Sequence, residues 1–150
     1  MIDRYLYRAK RTDNREWVEG NLIIFEECAY IMELENTYIR THYTCDDCVE
    51  FDMRAYKVDQ STICKCVNRK DEEGTLIFEH DIVSYLDGYN TDNGFSEGYP
   101  VGEVLWDDET LSFQVTERLS AESYEVLDGG DYIKVLGNRF DNPELLEVGE

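Results

Sequence analysis

Basic residues are scarce in this chain, and the shortage is concentrated in its second half. The 150 residues contain 14 Lys and Arg against 34 Asp and Glu, which gives a formal net charge of −20. Residues 71–150 contribute only Arg118, Lys134 and Arg139 against 21 acidic residues, a net charge of −18. A field of this sign repels nucleic acid and anionic lipid and attracts basic surfaces. We therefore expect no direct binding of nucleic acid or membrane, and we expect a basic macromolecular partner.

Long hydrophobic segments are also absent. Residues 1–5 do not begin a signal peptide, and no stretch approaches the roughly 20 apolar residues that cross a bilayer. These features predict a cytoplasmic protein. Disulfides are not expected in that compartment, so the five cysteines require another explanation: burial, a metal or a reactive role.

Proline and low-complexity sequence are scarce as well. The chain has two Pro, 42% hydrophobic residues and 13% aromatic residues. This apolar content excludes a disordered acidic tail. A length of 150 residues fits one domain, and we predict a single folded domain over residues 1–150.

Helical periodicity is missing, and a two-residue period takes its place. In residues 49–55 apolar and charged side chains alternate, as they do in a half-buried strand. The pattern predicts an all-β fold, an antiparallel barrel or sandwich of short strands, with an SH3-like sub-barrel around residues 75–116. Residues 87–100 are predicted to form one long polar loop, and residues 142–146 a short C-terminal helical turn.

Four of the five cysteines form two close pairs, which are Cys45 with Cys48 and Cys64 with Cys66. Zinc favours four thiolates in tetrahedral geometry, and close pairs from two turns supply them. We predict a structural zinc bound by these four residues, with His42 as a reserve ligand and Cys28 in the core. The alternative is that the second pair consists of ordinary strand residues and the first pair is exposed.

Catalytic motifs are lacking. No G-x-S-x-G, phosphate-cradling Gly loop or H-E-x-x-H occurs, and His42 and His80 are the only histidines. Any two of 34 carboxylates could pair, so a general acid and base cannot be assigned from the sequence. We expect that the protein is not an enzyme.

Three segments resemble the YopX-like family of bacteriophage proteins. They are EWVEG at residues 16–20, DEEGTLIFEHDIV at residues 71–83 and GNRFDNPELL at residues 137–146. The resemblance implies a phage or prophage origin and a compact all-β fold, and it implies no activity. The chain departs from the family pattern at His80, where the family usually has Gly, and at Cys66, where an aromatic residue is usual.

Origin, size and charge together suggest an inhibitor of a basic, nucleic-acid-handling host protein. CRISPR effector nucleases of the Cas9 type hold nucleic acid in a positively charged channel, and an acidic phage protein could block DNA loading there. The alternatives are a carboxylate-dependent hydrolase of phage replication, a homo-oligomeric accessory protein, and acidity that only maintains solubility.

The predicted partner-binding residues fall into three groups. The first two are acidic turns, and the third consists of aromatic anchors. They are Asp71, Glu72 and Glu73; Asp107, Asp108 and Glu109; and Tyr89, Phe95 and Tyr99.

Overall fold

The structure is a computed structural model that describes residues 5–33, 38–41, 49–52, 54–117, 123–125 and 132–147. These residues form β-strands and two short 3₁₀ turns. The strands are β1 (Tyr7–Lys10), β2 (Trp17–Phe25), β3 (Cys28–Met32), β4 (Tyr38–Thr41), β5 (Val49–Asp52), β6 (Ala55–Val58), β7 (Cys64–Lys70), β8 (Leu76–Phe78), β9 (Asp81–Tyr85), β10 (Asp87–Thr91), β11 (Gly94–Gly98), β12 (Val101–Asp107), β13 (Ser112–Glu117), β14 (Ser123–Glu125) and β15 (Ile133–Asn138), and the turns are Gln60–Thr62 and Pro143–Leu146.

The all-β class predicted from the sequence is confirmed. Every described strand pair is antiparallel. The predicted C-terminal helical turn is also present, as the 3₁₀ turn Pro143–Leu146. The chain divides into two compact units, Met1–Lys65 and Cys66–Glu150. Whether the chain acts as one domain over residues 1–150 stays a prediction.

In the first unit, the strands lie in the order β6-β3-β2-β1, and β1 also pairs with the first two residues of β7, Cys64 and Lys65. Alternate residues of these strands point inward, and they form a core of Ala9, Val18, Ala29, Ile31 and Val58. Strands β4 and β5 pair separately as a two-stranded ribbon.

Gly20 of β2 lies where only glycine fits. A Cβ atom there would lie 1.8 Å from the carbonyl oxygen of Met32. This backbone atom belongs to the partner strand β3, so it cannot move away without shifting the strand. The close approach of the two strands therefore depends on this glycine.

The second unit contains a five-stranded sheet in the order β14-β13-β12-β9-β15. Every residue of β9, which has a neighbouring strand on each side, is buried. The core consists of Val67, Ile77, Val83, Tyr85, Val104, Phe113, Val115 and Ile133. This sheet places the β12–β13 hairpin at one side of β9.

Two sequence predictions in this unit are wrong. Strands β9, β12 and β13, which lie largely within residues 75–116, belong to an open sheet in the described part of the chain, so the SH3-like sub-barrel is not formed there. Residues 87–100 are not one polar loop, because β10 and β11 pair from Asp87↔Gly98 to Thr91↔Gly94. Gly94, with φ of 119°, supplies the left-handed backbone that a tight hairpin turn requires.

Candidate partner-binding surface

The β12–β13 hairpin ends in a turn that its own side chains hold in place. The carboxylate of Asp107 accepts a hydrogen bond from the backbone N–H of Glu109 at 2.9 Å and another from the hydroxyl of Thr110 at 3.0 Å. Both contacts stabilise a reversal that also contains Leu111 at a φ of 54°. The turn at the end of the hairpin therefore has a geometry fixed by its own side chains.

Two exposed carboxylates and an exposed leucine lie at the end of this hairpin. Asp108 and Glu109 are exposed, and Leu111 is 71% exposed. We call residues 107–111 the acidic tip. The exposed Leu offers a partner an apolar surface to bury, and the neighbouring carboxylates offer it a negative charge.

Trp106 links the acidic tip to the core. Its ring packs edge-on against Phe113 with centroids 5.1 Å apart, and its indole N–H donates to the carboxylate of Asp108 at 2.9 Å. The side chain is nevertheless 41% exposed. A Trp that is half-exposed and held in one orientation is typical of the anchors that dominate protein interfaces. The sequence prediction did not include Trp106, although its position next to Asp107 was a usable signal.

A groove runs along the hairpin beside the tip. It has a volume of about 360 Å³ and is lined by Leu105, Trp106, Asp107, Asp108, Glu109, Gln114 and Thr116. We call this the tip groove. It contains all three residues of the second predicted acidic group, so the structure brings Asp107, Asp108 and Glu109 together.

Asp71, in the first acidic group, does not belong to an exposed surface. It is 8% exposed, and its carboxylate accepts hydrogen bonds from the backbone N–H groups of Glu73 at 3.0 Å, Thr75 at 2.8 Å and Val135 at 3.1 Å. Burial acts to raise the pKa of Asp71, but these hydrogen bonds lower it below its usual value. The side chain of Asp71 therefore serves the fold, and its contact with a partner stays a prediction.

The other two residues of that group are exposed. Glu73 forms an ion pair with Lys134 at 3.2 Å, and this hydrogen bond raises the pKa of Lys134. Glu72 is exposed on the same turn. These two carboxylates remain available to a partner, at a turn where one of them is already partly neutralised.

Of the three predicted aromatic anchors, two are exposed. Phe95 is 65% exposed and Tyr99 is 58% exposed, and Tyr99 packs edge-on against Tyr132 with centroids 5.1 Å apart. The side chain of Tyr89 lies outside the described residues. Phe95 and Tyr99 therefore keep the exposure that an anchor requires.

The predicted zinc ligands are only partly described. Cys45 and Cys48 lie outside the described residues. The sulfur of Cys64 donates to the carbonyl oxygen of Thr62 at 3.2 Å, as a neutral thiol does, and Cys66 accepts from the N–H of Asn68 at 3.4 Å. Among the residues that the structure describes, no cluster of three or more His, Cys, Asp or Glu is placed to hold a metal. The zinc site stays a prediction.

Sequence reasoning missed a polar cluster around Glu103. One carboxylate oxygen of Glu103 lies 3.0 Å from Nδ1 of His80 and 3.2 Å from the guanidinium of Arg139. His80 has a φ of 68°, and its ring packs edge-on against Phe140 at 5.7 Å. The signal was available, because His80 replaces the usual Gly of one resembled segment and Arg139 belongs to another.

In the described parts of the chain, no helix is long and apolar enough to cross a membrane.

Comparisons with known proteins give matches that span most of the chain. A family model described as YopX protein matches residues 6–147. The crystal structure of protein EF1440 from Enterococcus faecalis is similar, with a TM-score of 0.55, 22% sequence identity, and coverage of 94% of this chain and 96% of that chain. This likeness concerns the fold alone. No curated protein matches the chain. Because the family model extends across both compact units, the chain belongs to the YopX family.

Proposed function

We propose that this protein is an acidic phage-encoded inhibitor that binds a basic, nucleic-acid-handling host protein. The first candidate target is a Cas9-type CRISPR nuclease, whose DNA loading the protein would block in the cytoplasm of the host cell. The observation that carries the proposal is the acidic tip, where Asp108 and Glu109 are exposed beside Leu111 and Trp106. The negative charge accelerates the encounter with a basic partner, and the side chains of Leu111 and Trp106 supply apolar contacts that stabilise the complex.

In the proposed mode of inhibition, the protein competes with DNA for the basic side chains of the target. A DNA-binding channel presents Lys and Arg spaced to neutralise phosphates, which lie about one negative charge per 1.7 Å of duplex axis. Residues 71–150 of this chain have a net charge of −18, so their carboxylates can pair with these Lys and Arg side chains in place of phosphates. The protein then acts by stoichiometric obstruction, and it needs no catalytic group.

The test begins with a pull-down from host lysate, followed by a DNA-cleavage assay with any nuclease recovered. The informative variant is Asp108→Lys with Glu109→Lys, because Asp107 holds the turn and should stay. Asp92→Lys with Glu144→Lys is a matched control, since both residues are exposed and the change in net charge is equal. The proposal expects loss of inhibition in the first variant and retention in the second.

Two results would contradict the proposal. Inhibition at substoichiometric amounts of protein would point to the hydrolase alternative. Salt-insensitive self-association without any basic partner would point to the homo-oligomeric accessory protein.

We also propose that Cys45, Cys48, Cys64 and Cys66 bind a structural zinc. The support is their spacing, together with the N–H donor to the sulfur of Cys66, a contact that a thiolate also accepts. The thiol donor contact of Cys64 would have to be lost on deprotonation. Elemental analysis of protein purified without added metal should find about one zinc per chain. Full folding of Cys45→Ser without metal would reject a structural role.

A further inference from the structure

One asparagine of the chain lies where its side chain can react with its own backbone. Asn93 is the only asparagine that a glycine follows, and it lies in the two-residue turn between β10 and β11. Asp92, Asn93 and Gly94 are all exposed. Exposed loop tips are accessible to water and change backbone conformation easily. The turn is therefore a candidate site of covalent modification.

Gly94 leaves the nitrogen of its peptide bond with Asn93 accessible. Deamidation of an asparagine begins when the backbone nitrogen of the next residue attacks the side-chain carbonyl carbon, and glycine permits this close approach because it has no Cβ. The φ angle of Gly94 is 119°. Among the described residues, apart from its chain neighbours, no heavy atom lies within 4 Å of the position that a Cβ would take. No side chain at residue 94 obstructs the attack.

The hairpin around this turn opens most easily at its end. Gly94 pairs with Thr91, and this pair is the last before the turn. In the described part of the chain, β10 and β11 form a sheet of two strands, and an isolated two-stranded hairpin is marginally stable in water. Opening of the last pair frees the nitrogen of Gly94 at a small cost in free energy, since local opening of this kind precedes global unfolding.

Asn14 provides a contrast within the same protein. It is also exposed, but its side-chain oxygen accepts from the N–H of Glu16 at 2.9 Å, and its side-chain nitrogen donates to the carboxylate of Glu16 at 3.0 Å. The next backbone N–H, that of Arg15, donates to the carbonyl oxygen of Arg11 at 3.1 Å. The amide of Asn14 is thus held in one orientation, and the nitrogen that would attack it is engaged and belongs to a residue with a side chain.

We propose that Asn93 deamidates spontaneously through a succinimide. The backbone nitrogen of Gly94 gives up its proton and forms a bond to Cγ of Asn93. The bond from Cγ to the side-chain nitrogen breaks, and this nitrogen leaves as ammonia with the proton. Water then opens the ring at either carbonyl carbon, which gives Asp or isoaspartate, in which the main chain runs through the side-chain carbon. Water is the only co-reactant, and the product carries one more negative charge.

The product changes the hairpin next to one of the predicted anchors. Phe95 follows Gly94 directly and is 65% exposed. Isoaspartate adds a methylene group to the main chain, so the pairing of Thr91 with Gly94 no longer closes over an ordinary two-residue turn. Isoaspartate at residue 93 should therefore loosen the hairpin and change the surroundings of Phe95.

The experiment ages the full-length folded protein in mildly alkaline buffer and follows Asn93 and Asn14 by peptide mapping with mass spectrometry. Isoaspartate is measured separately, by enzymatic methylation with an isoaspartyl methyltransferase. A free peptide with the sequence of residues 90–96 is aged alongside as a reference without the fold. We expect Asn93 in the protein to react at a rate within about ten-fold of the peptide, because the end of the hairpin opens readily. Asn14 should remain unchanged over the same time.

Two variants test the cause. Gly94→Ala places a methyl group beside the attacking nitrogen and should slow the reaction of Asn93 severalfold. Because Ala is strained at a φ of 119°, the same substitution is made in the free peptide, where the fold has no influence on the result. Asn93→Gln keeps an exposed amide but would require a larger ring, and it should form no isoaspartate at this position.

Three results would overturn the inference. A rate for Asn93 more than about ten-fold below that of the peptide would show that the hairpin protects the nitrogen of Gly94. Formation of Asp without isoaspartate would show direct hydrolysis by water, without a succinimide. Equal reaction of Asn14 and Asn93 would show that the Asn-Gly turn has no special role. These measurements involve no partner, so they leave the inhibitor proposal untouched.

Discussion

At the scale of single residues, Asp71 shows how one carboxylate can close a turn and join distant strands. Its oxygens accept from Glu73 and Thr75 within the turn and from Val135 on β15. A carboxylate is an acceptor with several lone pairs, so it can accept from three N–H groups at once.

Asp71→Asn should therefore destabilise the protein. The amide NH₂ would face at least one backbone donor, and we expect a loss of about 2–3 kcal/mol in the free energy of unfolding. Urea unfolding measures this loss, with Glu72→Gln as the control, which should change stability by less than about 0.5 kcal/mol. Equal stability of the two variants would show that the three hydrogen bonds contribute little.

The acid response of Asp59 gives a second prediction at this scale. Hydrogen bonds from Arg15 and from the hydroxyl and N–H of Ser61 lower the pKa of Asp59 to about 2, whereas the unfolded value is about 3.9. A lowered folded-state pKa means that Asp59 contributes stability above the unfolded pKa, and that this contribution is lost as the pH falls towards 2.

NMR titration of the Asp59 carboxyl group checks this directly. Arg15→Gln should move the titration midpoint upwards, because it removes the 2.8 Å contact with Asp59. Asp59→Asn should lower stability at pH 6 and have almost no effect near pH 2. A midpoint for Asp59 that Arg15→Gln leaves unchanged would contradict the assignment of the cause.

At the scale of elements, the pairing of β2 with β3 sets a strict limit on side-chain size. Because a Cβ at Gly20 would lie 1.8 Å from a backbone oxygen of Met32, Gly20→Ala must displace a strand. We expect a loss of roughly 2–3 kcal/mol, at the upper end of overpacking effects. Thermal unfolding measures the loss. Glu19→Ala, at the exposed neighbouring position, should be nearly neutral.

The elements could be predicted from the sequence where the signal was local. Alternation and turn residues identified the β12–β13 hairpin, and Asn142-Pro143 identified the C-terminal turn. The hairpin of β10 and β11 was missed because its strands are polar. Backbone pairing without a buried face produces no alternation of apolar and polar residues in the sequence. The roles of Asp71 and Glu103 depend on partners 64 and 23 residues away along the chain, and no pattern within a single segment encodes such contacts.

At the scale of the whole molecule, charge governs how a partner is met. The net charge is −20, and the Debye length shrinks from about 30 Å at 0.01 M salt to about 3 Å at 1 M salt. We expect the association rate with a basic partner to fall about ten-fold or more across this range, while the dissociation rate changes far less. Surface plasmon resonance measures both rates. A dissociation rate that carries the whole salt effect would contradict electrostatic steering.

The position of β9 has a consequence for how the protein is made. This strand lies between β12 and β15, and β15 is the last of the described strands along the chain. A nascent chain can therefore cover one edge of β9 early, but the other edge stays bare until Ile133–Asn138 has left the ribosome. A bare edge in a buried apolar strand pairs readily with other chains. Premature termination before residue 133 should thus yield aggregates and not a smaller folded protein, and co-expressed chaperones should increase the yield of the complete chain.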